Sequence, residues 1–333
     1  MLSTKDYVIS KLLSTDGYIS GESLSLELGI SRAAINTAVK SLRSDGYDIE
    51  SVTNRGYHLN NHPDLLTTGE VLAIIPESRM QTINVLTEVD STNKMLKDLA
   101  YNGAPEGTVV MSDFQTAGRG RLGRTFASPK GKGIYISYLL RPTTSPEIIS
   151  KITCWSAVAV RNAILRTCNI KPSIKWVNDL QINGKKICGI LTEMNIESEI
   201  GTINSVVIGI GINVNNDLID FPEEIRDIAS SVRLETNEET PIHRASLVAA
   251  LIDELDKLCT SFPDANDEYL EQYRESCSTV GLDVSVVSAH NHTSEIPRLG
   301  TAIGIGDDFS LQVIFEDGHS ECLSSGEVSV IRR

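Results

Sequence analysis

The chain has no cysteine pair at metal-binding or redox spacing. Its six cysteines, Cys154, Cys168, Cys188, Cys259, Cys277 and Cys322, are scattered with no C-x-x-C among them. Reduced thiols are therefore expected, rather than a disulfide framework or a zinc site. His290 and His292 form an isolated H-x-H pair with no third ligand nearby, which reads as a loop. Long apolar runs are missing too. The most apolar stretch, Ser205 to Val214, is too short to cross a bilayer and contains Gly209 and Gly211. Lys5 and Asp6 interrupt the N-terminus and no signal-type apolar segment follows, so a cytoplasmic protein without membrane partners is expected. There are no internal repeats and no low-complexity tract. Basic charge is scarce: 30 Lys and Arg against 44 Asp and Glu leave a net charge of -14. That argues against non-specific nucleic-acid binding by the whole molecule, though not against a small local DNA surface.

What is present suits two or three globular domains in 333 residues. Against the acidic background, Gly118-Arg119-Gly120-Arg121-Leu122-Gly123-Arg124 stands out, with three glycines and three arginines in seven positions. Glycines let backbone approach a ligand, and arginines call for an anion. The stretch satisfies G-x-G-x-x-G and nearly fits a P-loop, yet both motifs need a helix to follow. Pro129, Gly131 and Gly133 make such a helix improbable. A kinase glycine-rich loop is excluded by the lack of H-R-D and D-F-G. A carboxylate- or phosphate-binding loop remains, with a solvated basic loop as the bland alternative.

Residues 1–62 read as helices followed by a hairpin. Tyr7 to Leu13 form one apolar face, Ser20 caps a second helix, and Gly29 to Ser31 make a sharp turn. The third helix carries Ile35, Val39 and Leu42 on one side. Arg32, Asn36, Thr37, Lys40 and Arg43 lie on the other, after Ser31 as cap. With the hairpin around Asn54-Arg55-Gly56, this is the pattern of a winged helix-turn-helix. The third helix would enter the major groove, with Arg55 at the wing tip on DNA; a winged helix used only for protein contacts is the alternative. From 67 to 275 helices and strands mix, and from 277 to 333 short alternating runs suggest a small β-barrel.

Five polar islands interrupt the central segment: Asp90-Ser91-Thr92-Asn93; Gln115 leading into the arginine–glycine stretch; Lys175-Trp176-Val177-Asn178-Asp179-Leu180; Lys185-Lys186-Ile187-Cys188-Gly189-Ile190-Leu191; and Gly209 to Val214. Taken in order, with the winged helix and the terminal β-segment, they resemble the biotin protein ligase family, in the form that is also the biotin operon repressor. The resemblance covers nearly the whole chain.

That resemblance implies an α+β chain: a winged helix, a class II synthetase-like mixed sheet with helices, and an SH3-like β-barrel. It implies a ligase that joins biotin and ATP into biotinyl-5′-AMP. The biotinyl group then goes to a lysine of the biotin carboxyl carrier protein of acetyl-CoA carboxylase. Mg²⁺ enters with ATP, and no tightly bound metal is expected. Ser91, Thr92, Asn93 and Gln115 match the biotin head contacts. Arg119, Gly120 and Arg121 match the loop that closes over biotin and adenylate, and Lys186 matches the lysine between biotin carboxylate and α-phosphate. Arg124, Phe126, Asn178, Asp179 and Asn213 fall on the adenylate side. Asp179 is open to three roles: orienting the carrier lysine, helping hold Mg²⁺, or structure. Val177 stands where proline is common, Phe126 where tryptophan is frequent, and Leu122 where some members have arginine. The repressor form implies operator DNA of biotin-synthesis genes as a partner and a homodimer when biotinyl-AMP is bound. A non-enzymatic biotin sensor and a lipoate-type ligase are the alternatives. The chemistry agrees with the resemblance: a carboxylate approaching a phosphate needs positive charge, which Lys186 and the loop arginines can supply. No side-chain nucleophile is required.

Overall fold

The computed structural model describes residues 3–142, 151–196, 203–287, 297–324 and 327–331. The His290/His292 pair and Gly326 lie outside these residues.

The first unit contains α1 (Thr4–Leu13), α2 (Gly21–Leu28) and α3 (Arg32–Ser44), then the hairpin β1 (Asp48–Val52) and β2 (Gly56–Asn61). Ser3, Ser20 and Ser31 each cap their helix by accepting a backbone N–H. Gly29 ends α2 at φ 64°, a left-handed turn that lets α3 leave at once. Val8, Ile9, Leu12, Leu24, Ile35, Val39, Leu42 and Ile49 close one small core. Leu26 of α2 is 77% exposed. It sits two residues from buried Leu24, and i, i+2 neighbours face apart on a helix.

Short α4 (Thr68–Leu72) follows the linker and packs on α1. The central sheet contains β3 (Ile83–Leu86), β4 (Val109–Ser112), β5 (Gly133–Leu140), β6 (Ser173–Lys175), β7 (Asp179–Ile182), β8 (Lys185–Ile196) and β9 (Ile203–Asn213). Its order is β3-β4-β5-β9-β8-β7-β6, antiparallel throughout except for β3 with β4. Alternation along β5 and β9 sorts the two faces. Ile134, Ile136, Tyr138, Ile208, Ile210 and Ile212 join the core beneath α6 (Ile152–Cys168) and α8 (Arg244–Ser261). The other face carries Leu139 and Val207, covered by Leu96 and Ala100 of α5 (Thr92–Tyr101). α5 covers only one end of that face. Gly209 and Gly211 lie further along it and line a cavity. Short α7 (Val232–Thr236) precedes α8, and α9 (Asn266–Ser276) follows it.

The C-terminal strands are β10 (Asp283–Val287), β11 (Arg298–Ile305), β12 (Leu311–Phe315), β13 (Ser320–Leu323) and β14 (Glu327–Val330). They form one antiparallel sheet, β13-β12-β11-β10-β14. The sequence pattern suggested a barrel; among the described residues no pairing joins the two outer strands. Its apolar side is continuous with the central core. The indole of Trp176 fastens it, donating from Nε1 to the Phe309 carbonyl at 2.9 Å, while Trp176 N donates to Thr279 Oγ1 at 2.9 Å. All six cysteines are free thiols; Cys322 alone is exposed. Among the described residues no helix is long and apolar enough to cross a membrane.

Candidate active site and DNA-facing surface

One cavity of about 800 Å³ lies on the glycine-bearing face of the central sheet. Gly209 and Gly211 make it possible. A Cβ on Gly209 would stand 2.2 Å from Asn93 Oδ1, and one on Gly211 would stand 2.5 Å from the Phe126 ring. The missing side chains let Asn93 and Phe126 lie directly on the sheet.

At one end, the start of α5 supplies Ser91, Thr92 and Asn93, all at least 95% buried. Ser91 occupies the N-cap position, yet its hydroxyl caps nothing and has no hydrogen-bond partner among the described residues. It lines the cavity as an available donor and acceptor. Ser137 Oγ donates to Asn93 Oδ1 at 2.6 Å and lies 2.8 Å from Thr92 Oγ1. Gln115 Oε1 accepts from Thr92 N at 2.9 Å, and Gln115 Nε2 donates to Ser128 Oγ at 3.0 Å. Both ends of the Gln115 amide are thus committed to holding Thr92 and the root of the arginine loop. Asn93 Nδ2 donates to Glu193 Oε2 at 2.8 Å, and Lys97 Nζ stands 2.6 Å from Glu193 Oε1. Burial pushes the Glu193 carboxyl up, but its bonds from Lys97 and Asn93 outweigh that and hold it below the usual range.

Lys186 stands further along the sheet. A turn at Asn183-Gly184, both at positive φ, joins β7 to β8. The pairing then slips: Leu180 faces Cys188 but Gln181 faces Lys186, leaving Ile187 as an extra residue on β8. In a regular strand, Lys186 and Gly189 would point to opposite faces. The bulge turns Lys186 over, so that its Nζ lies 3.1 Å from the site of a Gly189 Cβ. Asp179, paired opposite Gly189, shares this face, and Lys186 Nζ stands 2.6 Å from its Oδ1. Gly189 pairs with Gly211 and Leu191 with Gly209. Lys186 and Asn93 therefore sit over neighbouring rows of one face, roughly 7 Å apart along the strands.

The arginine stretch forms the roof. Gly120 N donates to the Arg124 carbonyl at 2.7 Å, Arg119 bridges Thr125, and Phe126 N donates to the Gly118 carbonyl. Leu122, at the tip, has φ 57°, which a leucine adopts only at a cost of about 1–2 kcal/mol. No α-helix follows the loop, in keeping with Pro129, Gly131 and Gly133, and β5 is the next element. Arg121 Nη1 donates to Asn178 Oδ1 at 2.8 Å, and Asn178 Nδ2 donates to the Ile190 carbonyl at 2.9 Å. This joins the roof to the turn after Trp176, whose peptide bond to Val177 is cis. Arg119 and Arg124 are exposed while Arg121 is half-buried. Asn213 lines the cavity and donates to the Ser230 carbonyl at 3.1 Å. Burial pushes the Cys188 thiol well up, so it offers no nucleophile. Among the described residues no group of three or more His, Cys, Asp or Glu side chains is placed to hold a metal ion.

Two walls escaped the sequence reading. Phe221, Ile225 and Ile228 line the cavity from the segment after β9. That segment hydrogen-bonds the Lys186 backbone on both sides: Lys186 N to the Ile228 carbonyl at 2.8 Å, and Ser230 N to the Lys186 carbonyl at 2.9 Å. Its signal was an apolar spacing, Leu218, Phe221, Ile225 and Ile228 at i, i+3, i+7 and i+10, which imitates a helix face although Pro222 interrupts it. Val328 to Val330 form the other wall, from β14.

On the winged helix, Arg32, Asn36, Thr37 and Lys40 are exposed along α3, with Ser31 at its start. Arg55 is exposed at the hairpin tip, its guanidinium 4.1 Å over the Tyr18 ring. Arg43 differs: its Nε and Nη2 donate to the Ile49 carbonyl at 2.9 and 2.6 Å, and Nη2 also donates to Ser51 Oγ. This arginine holds the hairpin to α3.

Residues 85–213 match the biotin/lipoate A/B protein ligase family, and residues 5–58 match an HTH domain. The chain is 41% identical over 255 residues to the bifunctional ligase/repressor BirA of Bacillus spizizenii, covering 76% of this chain and 77% of that protein. It is 29% identical over 325 residues to the bifunctional ligase/repressor BirA of Escherichia coli, covering 96% and 95%. Among solved structures, the biotin protein ligase from Aquifex aeolicus in complex with biotin and ATP is similar. Its TM-score is 0.63 and its identity 28%, over 76% of this chain and 100% of that one.

Proposed function

The chain belongs to the biotin protein ligase family, in its bifunctional ligase/repressor form, and on that premise we propose that it activates biotin with ATP, biotinylates a carrier protein and represses transcription when loaded. Residues 1–62 are the DNA-binding unit, 67–275 the catalytic unit and 277–333 the C-terminal unit of this reading.

In the first step a biotin carboxylate oxygen attacks the α-phosphorus of ATP, the bond to the bridging oxygen breaks, and pyrophosphate leaves. In the second, a lysine amine of the biotin carboxyl carrier protein attacks the acyl carbon of biotinyl-5′-AMP, AMP leaves and an amide forms. Mg²⁺ enters as part of the nucleotide substrate and neutralises phosphate charge.

The observation that carries this reading is the bulge-directed Lys186, one row along the glycine floor from the Thr92–Asn93–Ser137 cluster and beneath an arginine roof. The end lined by hydroxyl and amide groups suits the biotin head, with the free Ser91 hydroxyl as one contact. Lys186, Arg119 and Arg121 meet the carboxylate and α-phosphate, where fixed positive charge lowers the barrier for two anions to approach. Phe126, Arg124, Asn178, Asp179 and Asn213 take the adenylate side. A closed roof also shields the mixed anhydride from water.

For repression, Ser31, Arg32, Asn36, Thr37 and Lys40 face the major groove and Arg55 the adjacent backbone, on operator DNA of biotin-synthesis genes. A homodimer formed in the biotinyl-AMP state would present two reading helices to a palindromic site. The protein acts in the cytoplasm on this reading. Biotin-dependent pyrophosphate release from MgATP tests the first step; release that does not depend on biotin contradicts it. A gel shift of the promoter of biotin-synthesis genes, with and without biotin plus ATP, tests the co-repressor role. Equal binding in both conditions removes it.

A further inference from the structure

We propose that Asp64, in the linker between the winged helix and the central sheet, is a positioning residue for both loops that enclose the cavity. The proposal rests on the functional reading above and adds a means by which the DNA-binding unit and the ligand site sense each other.

Asp64 lies three residues beyond β2, and its side chain is 7% exposed. Its Oδ1 accepts from Arg244 N at 2.8 Å, and its Oδ2 accepts from Arg244 Nε at 2.7 Å and Asn215 Nδ2 at 2.8 Å. Asn215 is the root of one loop, and Arg244, the first residue of α8, clasps the roots of the other. The Arg244 side chain, 0% exposed, donates from Nη1 to Asp113 Oδ1 at 2.7 Å and to the Gly133 carbonyl at 3.0 Å. Asp113 follows β4 and Gly133 opens β5, so one guanidinium clasps both ends of the segment carrying Gln115, Arg119 and Arg121. Asn215 begins the segment that later brackets Lys186 through Ile228 and Ser230. Asn215 N also donates to the Lys132 carbonyl at 2.7 Å, tying one loop root to the other. Burial works against the Arg244 charge, but Asp64 and Asp113 outweigh it and raise its pKa above the ordinary value, so it stays a fixed cation.

The other side of Asp64 leads to the winged helix. Leu66 is buried, and Gly69 N in α4 donates to Asp6 Oδ1 of α1 at 3.2 Å. Tyr47, just beyond α3, donates its hydroxyl to Glu70 Oε1 at 2.8 Å. The winged helix is therefore seated on α4, within a few residues of the carboxylate that fixes both loop roots. A loop that reorders on ligand shifts its root, and the root shares Asp64 with the linker. Coupling of this kind is reciprocal: a displaced linker changes the ligand site as much as ligand changes the linker.

The test uses the full chain as native protein and as Asp64→Asn, which keeps the shape and one acceptor, with Asp64→Glu as a charge-retaining variant. Hydrogen exchange of the ligand-free proteins should be faster in Asp64→Asn at residues 114–132 and 215–231, with α6 unchanged. In pyrophosphate release, the KM for biotin should rise about tenfold while kcat stays within about twofold, as expected when coupling rather than chemistry is lost. Asp64→Glu should recover part of the KM. Unchanged exchange at both loops overturns the proposal, whatever happens to activity, because it leaves Asp64 merely structural. A fall in kcat with unchanged KM overturns it as well. If native protein releases no pyrophosphate, the ligase reading fails, and exchange alone decides the role of Asp64.

Discussion

Lys186 Nζ stands 2.6 Å from Asp179 Oδ1, the two side chains brought to one face by the bulge at Ile187. The pair explains how a lysine next to a hairpin turn is aimed into a cavity rather than at solvent. Lys186→Ala should lower biotin-dependent pyrophosphate release at least about a hundredfold, because hydrogen bonds to charged groups contribute roughly 1.5–3 kcal/mol each and this lysine meets two anions. Lys186→Arg should recover only part, since a planar fork cannot replace a compact ammonium. Steady-state kinetics of both variants check this.

The glycine floor makes a second prediction. Gly209→Ala would place a methyl 2.2 Å from Asn93 Oδ1 and push the start of α5 off the sheet. Overpacking of this type costs about 1–3 kcal/mol, so biotin affinity should fall about tenfold or more. Calorimetric titration with biotin measures it; an unchanged Kd would mean that Asn93 does not shape the biotin end.

Glu70 sets a pH dependence at the seat of the winged helix. Burial pushes its carboxyl from the ordinary 4.5 up to about 7, against the opposing hydrogen bond from Tyr47. The folded state thus holds this proton more tightly than the unfolded state. Its contribution is fully present below about pH 4.5 and is lost as pH rises through about 7, a loss of about 3 kcal/mol. Glu70→Gln, which keeps the acceptor for Tyr47, should be more stable than native protein at pH 8 and should flatten that slope. Urea unfolding at pH 5, 6, 7 and 8 compares them.

Trp176 links the turn before Asp179 to the C-terminal sheet. Trp176→Phe removes the donor to the buried Phe309 carbonyl and should cost about 1–3 kcal/mol. Hydrogen exchange should rise first at β10 to β12, with the winged helix unaffected.

On DNA, Arg32→Ala and Lys40→Ala should each lower the salt dependence of binding by about one unit of slope. Arg43→Ala should act through stability, because its guanidinium holds the Ile49 carbonyl. Gel shifts across a salt series, paired with thermal unfolding, separate the two behaviours.

The winged helix was legible because its signals are local: Ser31 as cap, Gly29 as turn, and Ile35, Val39 and Leu42 at helical spacing. The five islands were legible as a set, and their order pointed to the family before any geometry. The bulge at Ile187 was not, since Lys185 to Leu191 reads as an uninterrupted strand and only pairing reveals the slip. Arg244 was hidden for a different reason. Its partners Asp64 and Asp113 lie 180 and 131 residues away, and no local pattern marks a long-range buried ion pair. Arg43 was read as a DNA contact from charge and helix face, which say nothing of the wing carbonyl within its reach. The wall from Phe221 to Ile228 was missed because its apolar spacing imitates a helix face, while Pro222 leaves the segment as short 3-10 turns that fold over the cavity.

The most direct test is the mass of an isolated biotin-accepting carrier domain after incubation with the full chain, biotin and MgATP. The account predicts a gain of one biotinyl group with native protein, at a lysine of the carrier, and little or none with Lys186→Ala. No gain with native protein, while the carrier is still modified by another biotin ligase, would contradict it.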